Sequence, residues 1–190
     1  MATKTGKIVI LDANVLYPAS LRSFLLYLAD NEMFQPKWTS QINEEWHRNL
    51  SNKLPDMIAE KLQQITDVMN KSFPDALVAN FEGLIDTLTL PDVHDRHILA
   101  AAIKANADYI ITHNTKDFPQ EVLAIHNLEA ITPDEWVMRL LDQDPKRVLE
   151  SFHKQVKSLK NPPKTADEVL AGFEKCGMKQ TPKMLRSLVK

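Results

Sequence analysis

Carboxylate and amide side chains follow two predicted strands at the points where those strands end. Asp12 comes directly after the apolar run 8–11, and Asn114 and Asp117 follow a second β-branched run further along the chain. Side chains at the carboxyl ends of parallel strands meet at one edge of the sheet. Clustered carboxylates repel one another unless a cation neutralises them, and oxygen ligands favour Mg²⁺ or Mn²⁺. Such an ion can polarise a phosphodiester and generate hydroxide from bound water.

Asp95 belongs to the same candidate set, although each acid also has an ordinary structural interpretation. It opens a helical pattern and lies on the apolar stripe of that helix. Asp92 is a natural N-cap, and a carboxylate three residues later would complete a capping-box-like pair without any catalysis. Asp12 and Asp117 could likewise be turn residues. Only the convergence of several acids on one place favours a functional site over these alternatives.

The elements that must position these residues alternate between strands and helices. The apolar runs 7–12, 109–112 and 128–131 predict buried strands, because they are short, continuous and rich in β-branched residues. Short strands are also considered at 34–38 and 76–79. Apolar residues at helical spacing and N-cap residues predict helices over 17–30, 41–50, 55–71, 94–105 and 133–141. The alternation predicts an α/β fold in which helices cover both faces of a parallel sheet.

The last fifth of the chain differs from the rest in composition and charge. Residues 1–144 carry 12 basic and 21 acidic side chains (−9), whereas residues 145–190 carry 11 and 4 (+7). Helical patterns are predicted over 145–159, 165–175 and 181–189. We therefore expect a domain over residues 1–142 and a basic helical C-terminal extension over 143–190. A basic extension suits contact with a polyanion, packing on the acidic body or on an acidic partner, or simply a solvated helical surface.

The overall composition excludes several classes of protein. The chain has 190 residues, of which 44% are hydrophobic and 25% charged, as in ordinary globular proteins. Its apolar runs are too short to cross a bilayer, so no membrane association is expected. The N-terminus lacks the long apolar core of a secretory signal, and Cys176 is the single cysteine. We expect a cytoplasmic protein.

Four short motifs occur in a fixed order on the predicted elements: LDAN (11–14), EEW (44–46), DRHILAA (95–101) and ITHNTKDF (111–118). Together they resemble the PIN-domain ribonucleases, and the chain is similar to the VapC-like toxins of bacterial toxin–antitoxin pairs. The resemblance covers roughly residues 7–140. The stretch LPDVHD (90–95) and a helical tail containing Asn-Pro-Pro place the chain near a longer branch of that family.

The resemblance implies a PIN-like fold and an endoribonuclease that depends on Mg²⁺ or Mn²⁺. One or two such ions would be held by Asp12, Glu45, Asp95, Asn114 and Asp117. In the family pattern, the second acid stands directly before an aromatic or aliphatic residue and five positions before a leucine. Glu45 fits this spacing, and Glu44 is the alternative. An amide adds no negative charge, so metal affinity would depend more on Asp117 than is usual in the family.

The remaining polar residues near the motifs have supporting or RNA-binding roles in this interpretation. Asn14 and Thr112 are expected to orient the acids and, with Arg22, Arg96 and Lys116, are candidates for RNA contacts. His94, His97 and His113 lie near the motifs and could contact phosphate or transfer protons, but roles on helix surfaces or at caps are preferred for them. The resemblance also implies an RNA substrate such as tRNA or mRNA, a cognate antitoxin protein, and frequent homodimerisation.

Two other functions start from the same residues. A catalytically silent PIN-like module that binds RNA or protein would account for Asn114 where an acid often stands and for the acidic body. A phosphatase of the haloacid-dehalogenase type also begins with an aspartate after a strand. That chemistry needs a second aspartate two residues later, where this chain has Asn14.

Overall fold

The computed structural model describes residues 6–54 and 59–189. The strands are β1 (Ile8–Leu11), β2 (Gln35–Lys37), β3 (Tyr109–Ile111) and β4 (Glu129–Ile131). The helices are α1 (Ala13–Leu16), α2 (Ala19–Asp30), α3 (Ser40–Lys53), α4 (Ala59–Ser72), α5 (Glu82–Ile85), α6 (Arg96–Lys104), α7 (Gln120–Leu123), α8 (Pro133–Gln143), α9 (Pro145–Ser158), α10 (Ala166–Lys175) and α11 (Thr181–Leu188). None of the described helices is long and apolar enough to span a membrane.

The strands form a parallel sheet in the order β2-β1-β3-β4. Ile10 of β1 lies opposite Lys37 on one side and Ile110 on the other. Val9 and Ile10 point to opposite faces, as successive strand residues do, and both are fully buried. Both faces of the sheet are therefore covered, which confirms the predicted α/β fold with a parallel sheet between helices.

Side-chain caps fix the starts of the helices that frame the sheet edge. The Thr39 hydroxyl accepts a hydrogen bond from the Ile42 amide at the start of α3. At α8, Thr132 and Glu135 form a reciprocal capping box. A cap of this kind stabilises a helix by about 1 kcal/mol because it satisfies amides that have no partner within the helix. The sequence predicts Thr132 as the cap of α8 and either Thr39 or Ser40 as the cap of α3, and the structure has Thr132 and Thr39 in these roles.

Three predicted elements differ in detail from the structure. The 76–79 segment forms a single parallel bridge, between Leu77 and Trp38, and no continuous strand. The predicted helix 94–105 begins as a 3-10 turn, Val93–Asp95, before α6 takes over. The first residues of the predicted helix 55–71 lie outside the described residues, and the rest forms α4.

The C-terminal helices pack against the sheet domain. Phe24 of α2 stacks on Phe173 of α10 with ring centroids 4.9 Å apart, and contacts Phe152 of α9 edge-on at 6.2 Å. The three rings are fully buried, so α9 and α10 share a core with α2. Between α8 and α9 there is one residue, Asp144, which caps α9. The domain boundary after residue 142 stays a prediction.

Candidate metal centre

Asp12 lies at the carboxyl end of β1, and its carboxylate is 5% exposed. Although Asp12 occupies the N-cap position of α1, its side chain makes no capping hydrogen bond there. Instead its Oδ2 accepts hydrogen bonds from the Thr112 hydroxyl and the Asn14 amide, each at 2.6 Å. Burial raises the pKa of Asp12, and the hydrogen bond from Thr112 opposes that effect. The carboxylate is thus held in one orientation at the sheet edge.

The same two side chains join the ends of β1 and β3. The Asn14 amide also donates to the Thr112 hydroxyl at 2.9 Å, and its carbonyl oxygen accepts from the His113 amide at 3.1 Å. The Thr112 hydroxyl oxygen also accepts a hydrogen bond from the backbone amide of Asn114. These bonds correspond to the supporting role expected for Asn14 and Thr112. Thr112 is fully buried and so cannot contact RNA directly, which corrects its candidate role as an RNA contact.

Asp95 stands on the 3-10 turn before α6 and is half-buried. Its pKa is raised to about 6, first by burial and then by the nearby charges of Asp12, Asp92 and Asp117. The cap of this turn is Asp92, which accepts from the His94 amide. Among the described residues, the Asp95 carboxylate has no hydrogen-bond donor, so the capping-box interpretation does not account for it.

Glu45 is the acid of the second motif that faces the other acids. It is half-buried on α3, and its charge contributes to the raised pKa of Asp12. Its Oε1 lies 2.9 Å from Nε2 of His97 on α6. Glu44 is exposed. The geometry therefore favours Glu45 over Glu44 as the acid of this site.

Asn114 precedes the 3-10 turn Thr115–Asp117 after β3, and Asp117 is the last residue of that turn. Asn114 is exposed, and its side chain makes no capping bond to that turn. Asp117 is half-buried, and its charge reaches Asp95. The four acids are thus connected by electrostatic interactions. Asp12 interacts with Glu45 and with Asp95, and Asp95 interacts with Asp117.

The donor set fits a hard divalent cation in charge and in chemistry. It consists of carboxylates with one amide, and in the described part of the chain no Lys or Arg forms an ion pair with Asp12, Glu45, Asp95 or Asp117. A bound cation would neutralise the mutual repulsion of these carboxylates, which no Lys or Arg among the described residues relieves. The spacing is looser than that of a formed site: within residues 6–54 and 59–189, no three His, Cys, Asp or Glu side chains are grouped closely enough to hold a metal ion.

Two of the acids open onto a groove of about 680 Å³. Glu45 and Asp95 lie on its wall, together with residues of α3 and of the segment that leads into α5. Arg48 and Asn49 line the groove farther along α3. A volume of this size can take a nucleotide-sized group. The acids are therefore accessible to a substrate from one side.

Comparison with known proteins agrees with this arrangement. Residues 8–116 match the PIN domain. The chain belongs to the PIN-domain family. Residues 133–187 match the VapC50 C-terminal domain. The two matches follow one another along the chain, which confirms the resemblance to VapC-like PIN proteins with a C-terminal extension.

A relative of known name is similar to part of the chain. The chain is 36% identical over 74 residues to the protein named "Putative ribonuclease VapC50" of Mycobacterium tuberculosis (strain ATCC 25618 / H37Rv). The matched segment covers 37% of this chain and 44% of that protein, so less than half of the relative is spanned. No solved structure matches the chain.

One of the basic residues expected to contact RNA has a different role in this PIN domain. Arg22 is 7% exposed, and its Nη1 donates to the Leu16 carbonyl at 2.6 Å. Its guanidinium lies 4.6 Å from the centroid of the Trp46 ring, and burial lowers its pKa to about 10. The expectation that Arg22 contacts RNA is therefore corrected: the side chain joins α1, α2 and α3 and offers little surface to a phosphate.

The other two basic candidates remain accessible to different degrees. Lys116 is exposed on the turn beside Asp117, and Arg96 is half-buried at the start of α6. The Nε of Arg96 has no partner among the described residues. Lys116 is thus the better placed of the two for contact with a polyanion.

His97 is the residue of this site that the sequence analysis missed. It was expected on a helix surface, yet its side chain is 3% exposed and contacts Glu45. The sequence did hold one signal: the run Ala100 to Ala102 permits close packing on more than one side of α6, and these alanines are all buried.

Proposed function

We propose that this protein is a metal-dependent endoribonuclease that hydrolyses RNA phosphodiester bonds, and that it is the toxin of a toxin–antitoxin pair. The observation that supports it most is the state of Asp95. Burial and neighbouring carboxylates raise its pKa to about 6 even though the nearby His97 acts in the opposite direction, and in the described structure no Lys or Arg forms an ion pair with it. Such an arrangement is costly to keep unless a cation uses it.

The residues that would hold the ion are Asp12, Glu45, Asp95 and Asp117, with the Asn114 amide oxygen as a neutral donor. When bound, Mg²⁺ or Mn²⁺ would supply Lewis-acid activation of the phosphodiester and of a water molecule. The protein itself keeps Asp12 in one orientation through the Thr112 hydroxyl. Fixing a ligand in advance lowers the entropy lost when the ion and the substrate bind.

Cleavage of total RNA by the purified protein tests the proposal. With Mg²⁺ or Mn²⁺ we expect discrete products that are absent in EDTA and absent from Asp95→Asn and Asp12→Asn. Both replacements keep the side-chain volume, and circular dichroism spectra should show that both variants remain folded. Full activity in the two variants would contradict the proposal. Sequencing the product ends would distinguish a tRNA from an mRNA target.

The toxin role is tested in cells. Induced expression of the wild-type chain should arrest growth, whereas Asp95→Asn should not. We propose a cognate antitoxin as the partner that relieves the arrest, and a homodimer as the assembly. Co-expression with the protein encoded next to this gene, followed by size-exclusion chromatography, tests both. Growth that is unaffected by the wild-type chain would remove the toxin role and leave the nuclease activity to its own test.

We also propose that the extension, residues 143–190, forms part of the surface that meets RNA or the antitoxin. The turn at Gly177, which has a φ of +83°, packs beside the motif loop: a Cβ there would lie 3.8 Å from the His113 ring. Only glycine adopts this conformation without strain. This contact and the charge of +7 on residues 145–190 support the proposal.

A second function is supported by the spacing of the acids. Because no three of the described ligand-type side chains are grouped for a metal, a silent PIN-like module that binds RNA or protein accounts for the same arrangement of side chains. Titration calorimetry with Mn²⁺ separates the two functions. Heat that disappears in Asp12→Asn supports the nuclease, whereas its absence from the wild type supports the silent module.

A further inference from the structure

A buried imidazole connects α3, which carries Glu45, with α6, which begins directly after Asp95. His97 follows Asp95 by two residues on α6, and its side chain is 3% exposed. Its Nε2 lies 2.9 Å from Oε1 of Glu45 on α3. This contact crosses from one motif to another, and neither the hydrogen-bond network around Asp12 nor the metal-holding role of the acids accounts for it.

The chemistry of the contact determines which ring nitrogen carries the proton. An ionised carboxylate only accepts hydrogen bonds, so Nε2 of His97 must be the donor to Glu45. The other ring nitrogen, Nδ1, is buried and has no partner among the described residues. If this position served only packing, an apolar side chain would fill it without leaving a buried nitrogen unsatisfied. The whole hydrogen-bonding capacity that His97 uses is therefore directed at Glu45.

Glu45 itself depends on this contact for its orientation. In the described structure its carboxylate has no other hydrogen bond or ion pair, and its second oxygen, Oε2, is without a partner. A glutamate has three rotatable side-chain bonds, and ordering them costs conformational entropy. One fixed oxygen and one unpartnered oxygen are what a ligand needs if it is to receive a cation without reordering.

We infer that His97 is a positioning residue that holds Glu45 ready as a metal ligand by donating a hydrogen bond to Oε1. The inference rests on the proposed metal-dependent function. It assigns His97 no contact with substrate or metal. Hydrogen-bonded partners of this kind contribute roughly 10- to 100-fold to metal affinity, because they fix the direction of the ligand.

A matched pair of amide variants isolates the hydrogen bond. In His97→Gln the side-chain nitrogen can take the place of Nε2 and reach Glu45, whereas in His97→Asn it falls near the position of Nδ1 and cannot. The readout is the dissociation constant for Mn²⁺, measured by calorimetry on the full-length protein without RNA. We expect His97→Asn to weaken binding by about tenfold or more and His97→Gln to restore most of it.

A control variant and a double-mutant cycle exclude a merely structural effect. His47 also lies on α3, but its ring bonds to Thr66 of α4, so His47→Asn should leave Mn²⁺ affinity unchanged. In a Glu45→Ala background, His97→Asn should have no further effect, because the group through which it acts is gone. Urea unfolding in EDTA shows whether each variant is folded.

The outcomes separate this inference from the proposed function. If the wild-type protein binds no Mn²⁺, the metal-dependent function fails and the inference fails with it. If the wild type binds Mn²⁺ and His97→Asn binds it equally well, only the inference fails. An equal loss in the Glu45→Ala background, or equal losses in the Gln and Asn variants, would also overturn it, because His97 would then act on the fold and not through Glu45.

Discussion

The hydroxyl of Thr112 donates a 2.6 Å hydrogen bond to Oδ2 of Asp12, a residue 100 positions earlier in the chain. The bond closes the gap between the ends of β1 and β3, and both partners are buried. It is the kind of contact expected for Thr112 from its motif, and it joins two residues that are distant in the sequence. The orientation of the first acid of the site therefore depends on the neighbouring strand.

Thr112→Val should lower metal affinity and stability together. Valine keeps the shape of threonine but removes the donor to Asp12 and the acceptor for the Asn114 amide. Groups left without partners cost about 1–3 kcal/mol of unfolding free energy, and loss of an outer-sphere partner weakens metal binding by roughly 10- to 100-fold. Urea unfolding and Mn²⁺ calorimetry measure the two effects. Thr112→Ser, which keeps the hydroxyl, is the control and should stay close to wild type in both.

The acids at the sheet edge could be predicted from the sequence because their positions follow from local pattern. Asp12 follows a recognisable strand, whereas Glu45 is preferred to Glu44 only through the resemblance to the PIN-domain family. His97 could not be predicted in the same way. Helical periodicity marks one apolar face of α6, but the residues Ile98 to Ala102 are all buried, so the helix has no solvent-facing side there. A polar residue off the stripe then lies inside the protein.

Arg22 shows a second limit of local pattern. Its position on α2 does not reveal that the Trp46 ring, which belongs to another helix, lies beside it. Nor does it reveal that the chain turns so that the Leu16 carbonyl accepts a hydrogen bond from the Arg22 guanidinium. Both partners are set by tertiary packing, which hydrophobic periodicity does not encode. A positive charge near a candidate cleft therefore predicts a phosphate contact only when its exposure is known.

The metal-free protein should lose stability as pH rises, because of Asp95. The pKa of Asp95 is about 6 in the folded state, against an ordinary value of 3.8. A raised folded-state pKa favours the native state while the group is protonated, so this contribution is complete below about pH 3.8 and is lost as pH rises through about 6. Urea unfolding in EDTA at several pH values measures the effect, with Asp95→Asn as the reference.

The effect of Asp95 is measured as the difference in unfolding free energy between Asp95→Asn and the wild type. It should grow in favour of the variant between about pH 4 and pH 6 and then level off. Saturating Mn²⁺ at pH 7 should reverse the order, because the ion stabilises the wild type more than the variant. A difference that does not vary with pH would contradict a raised pKa at Asp95.

Phe173→Ala should destabilise the whole protein and not the extension alone. The ring stacks on Phe24 at 4.9 Å and lies edge-on to Phe152, within a core shared by α2, α9 and α10. Truncating a buried phenylalanine costs about 3–5 kcal/mol. Urea unfolding followed by both circular dichroism and tryptophan fluorescence should show one transition at a lower midpoint. Two separate transitions would mean that the extension folds independently of the sheet.

Asp134→Asn should release the start of α11. The Asp134 carboxylate accepts hydrogen bonds from the amides of Lys179, Gln180 and Thr181, at 2.8–2.9 Å. These bonds lower its pKa despite burial, so its contribution to stability is present above the ordinary value of 3.8 and is lost as pH falls below it. Hydrogen exchange of the three amides should become faster in the variant at neutral pH. Exchange that stays as slow as in the wild type would show that packing alone holds α11.

Removing the charge of Lys116 should alter the salt dependence of RNA binding, whereas removing the charge of Arg22 should alter stability. Lys116 is exposed beside the site, whereas Arg22 is buried against the Leu16 carbonyl. In the cleavage-deficient Asp95→Asn background, Lys116→Ala should reduce the slope of log affinity for single-stranded RNA against log salt concentration by about 0.7, the value for one phosphate contact. Arg22→Met should leave that slope unchanged and lower the urea midpoint, because it leaves a buried carbonyl without its donor. Fluorescence anisotropy at several salt concentrations measures the slopes. A reduced slope in Arg22→Met at unchanged stability would restore Arg22 as an RNA contact.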